Sequence, residues 1–262
     1  LDLESLWGAA CTGAGVLQEK NQRLGDTLNA RTFAMAEKAG LPLMTICSTC
    51  QGVMAQANER LCNDEDYRNS INEDLKEEGL TYQGTIEPKH LLWIIVEDLG
   101  IEVLESKLVK QLNGLKLAPF YGCYIVRPSK ALGLKDNPGR DKALEKVIEV
   151  VGGEVVDFPG KTLCCGFPIL TINPENSVNM VANHTIDAKE RGADAMVTPC
   201  PLCHLNLDGY QPNAASSRKR EIDLPIIHLP QLVGLALGIS PDKLGIDRHL
   251  VDAQRVLNII YQ

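Results

Sequence analysis

The sequence predicts an α/β fold made of two tandem, pseudo-repeated cysteine-rich modules, with short parallel sheets flanked by helices. Three observations lead to this prediction: an internal repeat, an alternation of helical and strand-like segments, and a cysteine set divided between the repeats. The repeat has the most weight, because self-similarity along a chain identifies tandem units before any secondary structure is assigned. We place the modules at residues 1–113 and 114–262.

Each half contains a small cysteine-bearing turn, then a helix, a strand and a CxxC turn. In the first half AACTGAG (9–15) precedes TICSTCQG (45–52), and in the second half LCCGFP (163–168) precedes TPCPLCHL (198–205). The phrases that lead into the CxxC turns also agree, AEKAGLPLMTICSTC with AKERGADAMVTPCPLC. Agreement at so many points indicates a tandem duplication.

The elements of the first half are a helix, a strand and a polar excursion. Helical spacing predicts a helix over residues 29–40, with Asn29 as its cap, and the apolar residues 42–46 predict a strand that leads into the CxxC turn. The acidic residues 62–79 predict a solvated helical segment.

The second half alternates strands with helices. The pattern predicts a strand over 115–126, with Cys123 at or just beyond its carboxyl end. Helices are predicted over 141–153 and over 177–193, the second capped by Ser177, and each is followed by a short strand, 154–159 and 194–198. Residues 211–223 are predicted to form a loop. Such alternation is typical of parallel sheets, in which binding sites collect at the carboxyl ends of the strands.

Composition and charge exclude several classes of protein. Of 262 residues, 44% are apolar and 23% are charged, which is typical of a folded globular chain. The formal charge of −8 argues against a nucleic-acid partner, because phosphate contacts need a basic surface. No apolar run approaches the roughly 20 residues that a membrane span needs, so we expect no direct span.

The nine cysteines indicate metal-bound thiols more than disulfides. Their number is odd, the chain is long, and two CxxC pairs occur, whereas disulfide-rich secreted domains are short and use even counts. We therefore expect a reducing compartment and a cytoplasmic location.

Five of these cysteines arrive on three turns of the second half, and two of them, Cys164 and Cys165, are adjacent. Five thiolates exceed the four that a zinc ion or an ordinary cubane cluster uses. Adjacent thiolates reach two irons of a larger cluster more easily than one small ion. Soft thiolates favour iron–sulfur chemistry or zinc. Buried packing, a vicinal disulfide and a structural zinc on four of the five remain as alternatives.

Three segments resemble the second cysteine-rich CCG motif of the heterodisulfide reductase family, in its B-type subunit. They are LAPFYGCYIVRPS (117–129), KTLCCGFP (161–168) and VTPCPLCHLNLD (197–208). The similarity extends over nearly the whole chain, including residues 82–118 and 225–247. The motif is highly specific as a whole, and it identifies the chain as a member of that family.

The resemblance implies both a cofactor and a reaction. In that family five cysteines hold a noncubane [4Fe-4S] cluster at which a disulfide is reductively cleaved. Carried over residue by residue, the ligands here would be Cys123, Cys164, Cys165, Cys200 and Cys203. The small neighbours Gly122 and Gly166 would let the backbone approach such a cluster closely. The implied activity is that of an oxidoreductase acting on a sulfur group.

The resemblance also implies partners. These are a small ferredoxin-like subunit with two [4Fe-4S] clusters that delivers electrons, a flavin-containing subunit upstream of it, and a small thiol or disulfide substrate. A sulfur-oxidising variant that acts on lipoate-bound sulfur belongs to the same wider group. Two other functions remain open: a non-catalytic electron-relay and assembly subunit, and a zinc-bound scaffold.

The first module departs from the family pattern. It keeps Cys11, Cys47 and Cys50, but the Cys-Cys pair is reduced to Ala10-Cys11 and the first strand with its cysteine is missing. The chain begins with Leu1 rather than Met, so residues could precede it in a longer reading frame. One more cysteine would complete a four-thiolate site, which favours a second [4Fe-4S] cluster; three alone could hold a degenerate cluster or none.

Two further residues, His204 and Cys62, are candidates for a role near the cysteine motifs or for none. His204 directly follows Cys203 and could protonate a leaving thiolate, or it could make a structural hydrogen bond. Cys62 lies outside both motifs, and we interpret it as a plain thiol.

Overall fold

The computed structural model describes residues 2–261. Its α-helices are α1 (Val16–Lys20), α2 (Gln22–Ala39), α3 (Ser48–Asn63), α4 (Glu65–Leu75), α5 (Leu91–Trp93), α6 (Ile101–Lys107), α7 (Ala143–Val150), α8 (Pro174–Glu190), α9 (Pro201–Gly209), α10 (Gln211–Arg218), α11 (Leu229–Ala236) and α12 (Gln254–Tyr261). Its strands are β1 (Met44–Thr45), β2 (Lys89–His90), β3 (Lys116–Pro119), β4 (Glu154–Val155), β5 (Ala195–Thr198) and β6 (Ile226–His228). A π-helical segment, Ile94–Leu99, continues α5.

Both sheets are parallel and short. The second half builds a four-stranded sheet in the order β4-β3-β5-β6, and the first half contributes the pair β1-β2. In the larger sheet Leu117 lies opposite Ala195, and Met196 lies opposite Ile226. The predicted fold class, short parallel sheets flanked by helices, is confirmed. The module boundary at residues 113 and 114 stays a prediction.

The inner strands β3, after its first residue, and β5 are buried on both faces of the sheet, which explains why they lack a polar side. Every residue of β5 is buried. Leu117 and Val197 pack in one core cluster with α7, α11 and α12, while Ala118 and Met196 pack in another with α8, α9 and α10. Helices on both faces of a parallel sheet produce this continuous apolar pattern.

The strand order places a crevice between β3 and β5. From β3 the chain passes to β4 on one side and then crosses to β5 on the other. At such a switch point the loops that follow the two central strands diverge, and ligands bind at the carboxyl ends of the strands. Cys123 follows β3 and Cys200 follows β5, so the topology brings both to this crevice.

The first half has a helical core of its own. Phe33, Leu61 and Tyr82 are fully buried where α2, α3 and α4 meet. Asp26, also fully buried, is paired with Arg60 at 2.6 Å. The polar segment predicted at 62–79 is helical, as α4 shows, although it buries Ile71 in this core.

The predicted helix caps were wrong. The Asn21 side chain accepts from the Leu24 N–H at the start of α2, and the Asn173 side chain caps α8. Asn29 and Ser177 are instead buried inside their helices. The apolar pattern that placed these caps begins late, because the first turns of both helices are polar.

Two other element predictions need correction. The strand predicted over 115–126 ends at Pro119, and the chain then turns through Gly122, whose φ is 71°. The predicted loop at 211–223 begins as helix α10, which packs against α8. Gln211 anchors it through both amide atoms, donating to the Leu224 carbonyl and accepting from the Leu224 N–H.

Tyr121 fixes the segment between β3 and Cys123. Its hydroxyl donates to Glu145 and accepts from the Leu144 N–H at 2.9 Å. Its backbone N–H donates at 2.8 Å to the Lys161 carbonyl, on the segment that leads to Cys164. The two cysteine turns are therefore held next to each other by bonds made at one fully buried residue.

Replacing Tyr121 by phenylalanine is expected to lower the free energy of unfolding by about 1–3 kcal/mol. The cause is the loss of one of the two hydrogen bonds to the buried Glu145 carboxylate and of the acceptor for the buried Leu144 N–H, which is costly to leave unpaired. Urea unfolding of the variant measures the effect. Tyr261→Phe, at a half-exposed position, is the control and should change stability by less than about 0.5 kcal/mol.

Candidate metal centre

The two CxxC turns have the same backbone geometry. Cys47 precedes α3 with φ −130° and ψ 118°, and Cys200 precedes α9 with φ −128° and ψ 119°. Each CxxC pair therefore lies at the amino end of a helix. That end carries partial positive charge and unpaired N–H groups, so it stabilises thiolates.

The five cysteines of the second half come together. Sulfur contacts join Cys123 to Cys164, Cys165 to Cys203, and Cys203 to Cys200, and the adjacent Cys164 and Cys165 also touch. Cys165, Cys200 and Cys203 are buried, while Cys123 and Cys164 are partly exposed. The thiols thus form a continuous string with one accessible end.

The three cysteines of the first half extend this string. Cys47 Sγ lies 3.9 Å from Cys200 Sγ. Cys50 contacts both Cys47 and Cys11, and Cys11 is exposed. Eight of the nine cysteines therefore form one chain of contacts across both halves, and all of them are free thiols.

This arrangement does not fit one small ion. A tetrahedral zinc ion gathers four sulfurs at about 2.3 Å from itself, so all of them would lie close to one another. Within residues 2–261, the group of three or more metal-ligating side chains whose ligand atoms all lie within 4.8 Å of one another contains no cysteine. The elongated thiol string suits a larger group that several sulfurs contact from different sides.

Hydrogen bonds among the thiols divide them into acceptors and donors. The pKa of Cys164 is lowered to about 2, mainly because the thiol of Cys123 donates to it and Cys165 does likewise. The pKa of Cys200 is lowered well below its usual value by hydrogen bonds from Cys203 and Cys47. Conversely, the hydrogen bonds of Cys203 to Cys165 and Cys200 raise its own pKa. The sulfurs therefore share protons through these hydrogen bonds, and binding of a metal group would displace those protons, because metal ligands must be thiolates.

A small cavity lies among the thiols, with a mostly apolar lining that includes a few hydroxyl groups. Cys123, Cys165, Cys200 and Cys203 line it, together with Ser48 of the first half. Ser48 is 1% exposed, and its Oγ has no hydrogen-bond partner in the described part of the chain. Buried hydroxyls are almost always paired, so this one indicates an acceptor that belongs in the cavity.

The two glycines predicted to allow close approach have different roles. Gly122 has φ 71°, and a Cβ there would lie 2.9 Å from Cys203 Sγ, so a side chain would crowd the sulfurs. Gly166 has φ 98° and donates its N–H to Cys164 Sγ at 3.4 Å. A Cβ at Gly166 would meet Ser177 Oγ at 2.9 Å, so this glycine is required mainly by packing.

A histidine from the first half holds the CxxC turn of the second. His90 Nδ1 accepts from the Leu92 N–H, which leaves the proton on Nε2, and Nε2 donates to the Pro199 carbonyl at 3.0 Å. His228, at the equivalent place in the second half, lies near the carbonyl of Ile46, which precedes Cys47. Each half therefore reaches the residue just before the other half's CxxC pair.

His204 follows Cys203 in the chain, but it is not among the residues that line the cavity. Its ring contacts that of His249, with 4.5 Å between centroids, and burial lowers its pKa to about 4. With Asp208 these histidines form the one compact ligand group in residues 2–261. Asp208 accepts the Leu250 N–H, and Gln231 donates to His249, so the group anchors the following loop. A proton-donor role for His204 stays a prediction.

Cys62 lies apart from the other eight cysteines. Its thiol donates to Asn58 at 3.4 Å and to the Gly84 carbonyl at 3.6 Å. These contacts agree with the interpretation of Cys62 as a plain thiol.

Sequence reasoning missed three neighbours of the thiols: Ser48, Thr49 and Tyr124. All three line the cavity. The hydroxyl residues between Cys47 and Cys50 were visible in the sequence, where the second half has Pro201 and Leu202 instead. That difference was the available signal.

Known proteins share both the sequence and the fold. A model of the CCG cysteine-rich domain family matches residues 1–55 and 117–208. The 8-methylmenaquinol:fumarate reductase membrane anchor subunit of Wolinella succinogenes is 36% identical over 98% of this chain and 88% of its own length. The B-type subunit of the ferredoxin/F(420)H(2)-dependent CoB-CoM heterodisulfide reductase of Methanosarcina acetivorans is 33% identical over 100% of this chain and 88% of its own length.

A crystal structure of a hypothetical protein from Helicobacter pylori shares the fold, with a TM-score of 0.70 at 19% identity. The match covers 88% of this chain and 42% of that one. In residues 2–261, no helix combines the length and the apolar character that crossing a bilayer requires. The motif, the thiol geometry and the full-length similarity agree, and the chain belongs to the CCG cysteine-rich family that includes the B-type subunits of heterodisulfide reductases.

Proposed function

We propose that this chain is the iron–sulfur subunit, of the B type, of a heterodisulfide reductase-like complex, and that it cleaves or forms a disulfide at a noncubane [4Fe-4S] cluster. The observation that carries the proposal is the string of five thiols in the second half, which is too long for one ion and which lines a cavity together with an unpaired buried hydroxyl. Soft thiolates select iron–sulfur groups or zinc, and this geometry disfavours zinc.

The residues of the second half would each have a defined task. The cluster would be held by Cys123, Cys164, Cys165, Cys200 and Cys203. Burial of three of these thiols excludes water from one side. The amino end of α9 stabilises the negative charge of Cys200. When bound, a cluster of this kind supplies electrons one at a time beside the sulfur atoms of a substrate.

Substrate would approach from the side of Cys123 and Cys164. These are the two partly exposed members of the five, whereas the other three are buried. Opening a disulfide consumes two electrons and two protons and yields two thiols. The chemical class of substrate is therefore a small thiol or disulfide. In the lipoate-linked, sulfur-oxidising variant the reaction would proceed in the opposite direction, with two thiols losing two electrons and two protons to form a disulfide.

Electrons would enter from the first half. The contacts Cys11–Cys50–Cys47–Cys200 form a path from an exposed thiol to the centre. A second [4Fe-4S] cluster on Cys11, Cys47 and Cys50, completed by one further ligand, would suit this path. The partners we propose are a ferredoxin-like subunit that delivers electrons and a flavin-containing subunit upstream of it, in the cytoplasm.

Anaerobic purification, metal analysis and electron paramagnetic resonance with a panel of thiols test the proposal. We expect iron rather than zinc, and a paramagnetic signal that changes when a suitable thiol is added. A chain that holds zinc and little iron would contradict the proposal and favour the scaffold.

A second candidate function is a non-catalytic electron relay. It is favoured by the 36% identity to a protein named as part of a fumarate reductase, since fumarate is not a disulfide. The same experiment separates the two functions. An iron signal that is indifferent to every thiol and disulfide in the panel would support the relay.

A further inference from the structure

We propose that Thr49 and Ser48, in the CxxC turn of the first half, donate hydrogen bonds into the centre held by the second half and raise its reduction potential. This inference rests on the iron–sulfur function proposed above. It assigns to the first half a task that does not depend on whether its own three cysteines bind a cluster.

Thr49 already contacts a cysteine of the centre. Its Oγ1 lies 3.6 Å from Cys200 Sγ, and the residue is 8% exposed. Either atom could donate between a free thiol and a hydroxyl. A metal-bound thiolate has no proton, so the threonine hydroxyl must then be the donor.

Ser48 provides an independent observation. It lines the cavity beside Cys203, it is 1% exposed, and its Oγ has no partner among residues 2–261. A hydroxyl in that position is unfavourable unless an acceptor fills the cavity. Inorganic sulfide and cysteine thiolate are both acceptors of the required kind.

The CxxC turn of the second half does not supply equivalent donors. Its CxxC turn has Pro201 and Leu202 where the first half has Ser48 and Thr49, and neither side chain carries a hydroxyl. Leu202 also lines the cavity, so the centre meets apolar groups from its own turn and hydroxyls from the other. The two halves therefore differ in side-chain polarity at the two positions between the cysteines of their CxxC turns.

Hydrogen bonds to cluster sulfur change the redox equilibrium. One-electron reduction adds negative charge to the centre, and a donor stabilises the more negative state. Removing a donor should therefore lower the potential. We expect Thr49→Val, which keeps the shape and removes the hydroxyl, to lower the equilibrium constant for one-electron reduction about tenfold, or about 59 mV.

The experiment is a redox titration of the purified chain with dithionite, followed through its iron–sulfur absorbance. Thr49→Ser is the matched control, because it restores the donor, and its potential should stay near that of the unchanged protein. Ser48→Ala should shift the potential in the same direction as Thr49→Val. Iron content and the urea unfolding midpoint are measured for each variant.

Unchanged potentials in both Thr49→Val and Ser48→Ala would overturn the inference, as would equal shifts in Thr49→Ser and Thr49→Val. If Thr49→Val loses iron, Ser48→Ala decides the matter alone. Absence of iron from the unchanged protein would instead contradict the proposed function, so the two failures are distinguishable.

Discussion

Replacing both Cys164 and Cys165 by serine is expected to remove roughly half or more of the iron bound by the anaerobically purified chain. These sulfurs occupy the middle of the five-thiol string, between Cys123 and Cys203. Serine is a poor ligand for iron because its hydroxyl stays protonated, and metal binding requires deprotonated ligands. Iron per chain, measured by inductively coupled plasma mass spectrometry, tests the prediction.

Cys62→Ser provides the control for this loss. It removes a thiol that bonds only to Asn58, Tyr82 and Gly84 in the described structure. We expect its iron content to equal that of the unchanged protein. Full iron content in the double variant, with normal absorbance, would show that the centre lies elsewhere.

The second large effect concerns the contact of α3 with the loop after Cys123. Gly52 lies in α3, and a Cβ there would be 2.7 Å from Tyr124 Cδ1 and in conflict with the Tyr124 carbonyl. Gly15 packs against the same side chain, because a Cβ added at Gly15 would lie 2.5 Å from the Tyr124 hydroxyl. Tyr124 therefore occupies a groove between two glycines of the first half.

We expect Gly52→Ala to lower the free energy of unfolding by about 1–3 kcal/mol, because overfilling a packed contact forces backbone to move. This occurs although alanine is intrinsically better in a helix by about 1 kcal/mol. Because the displaced backbone follows Cys123, iron retention should fall as well. Urea unfolding and iron analysis of the same preparation measure both effects.

Gly209→Ala is the matched control, a helical glycine with room for a side chain. Its Cβ would meet only Leu250 Cδ1, at 3.8 Å, which is ordinary contact. We expect unchanged or slightly higher stability there. Equal stability of Gly52→Ala and the unchanged protein would refute the steric argument.

The sequence alone was sufficient to predict which cysteines come together, because the signals that identify them are short local motifs. Cys123, Cys164 and Cys200 each follow a strand-like or turn-forming segment, and strands of a parallel sheet end at one edge. The resemblance to a known family then selected the five cysteines, and the structure brings those five together. That these five thiols hold an iron–sulfur group is our proposal, based on the chemistry of soft thiolate donors.

The parts that the sequence did not predict depend on contacts between distant segments. Helix α10 looked like a loop because its residues are polar and small, yet Gln211 and the packing on α8 stabilise it. The bond from His90 to the Pro199 carbonyl joins residues 109 apart. The contact of Thr49 with Cys200 joins residues 151 apart, so no local pattern identifies it.

The bond between His90 and Pro199 also bears on how the chain folds. His90 is 1% exposed and is neutral, because burial lowers its pKa to about 4. Expressed alone, either half would contain only one partner of this hydrogen bond. This contact ties the CxxC turn of the second half to the first half, and we expect the second half expressed alone to be less stable than it is within the full chain.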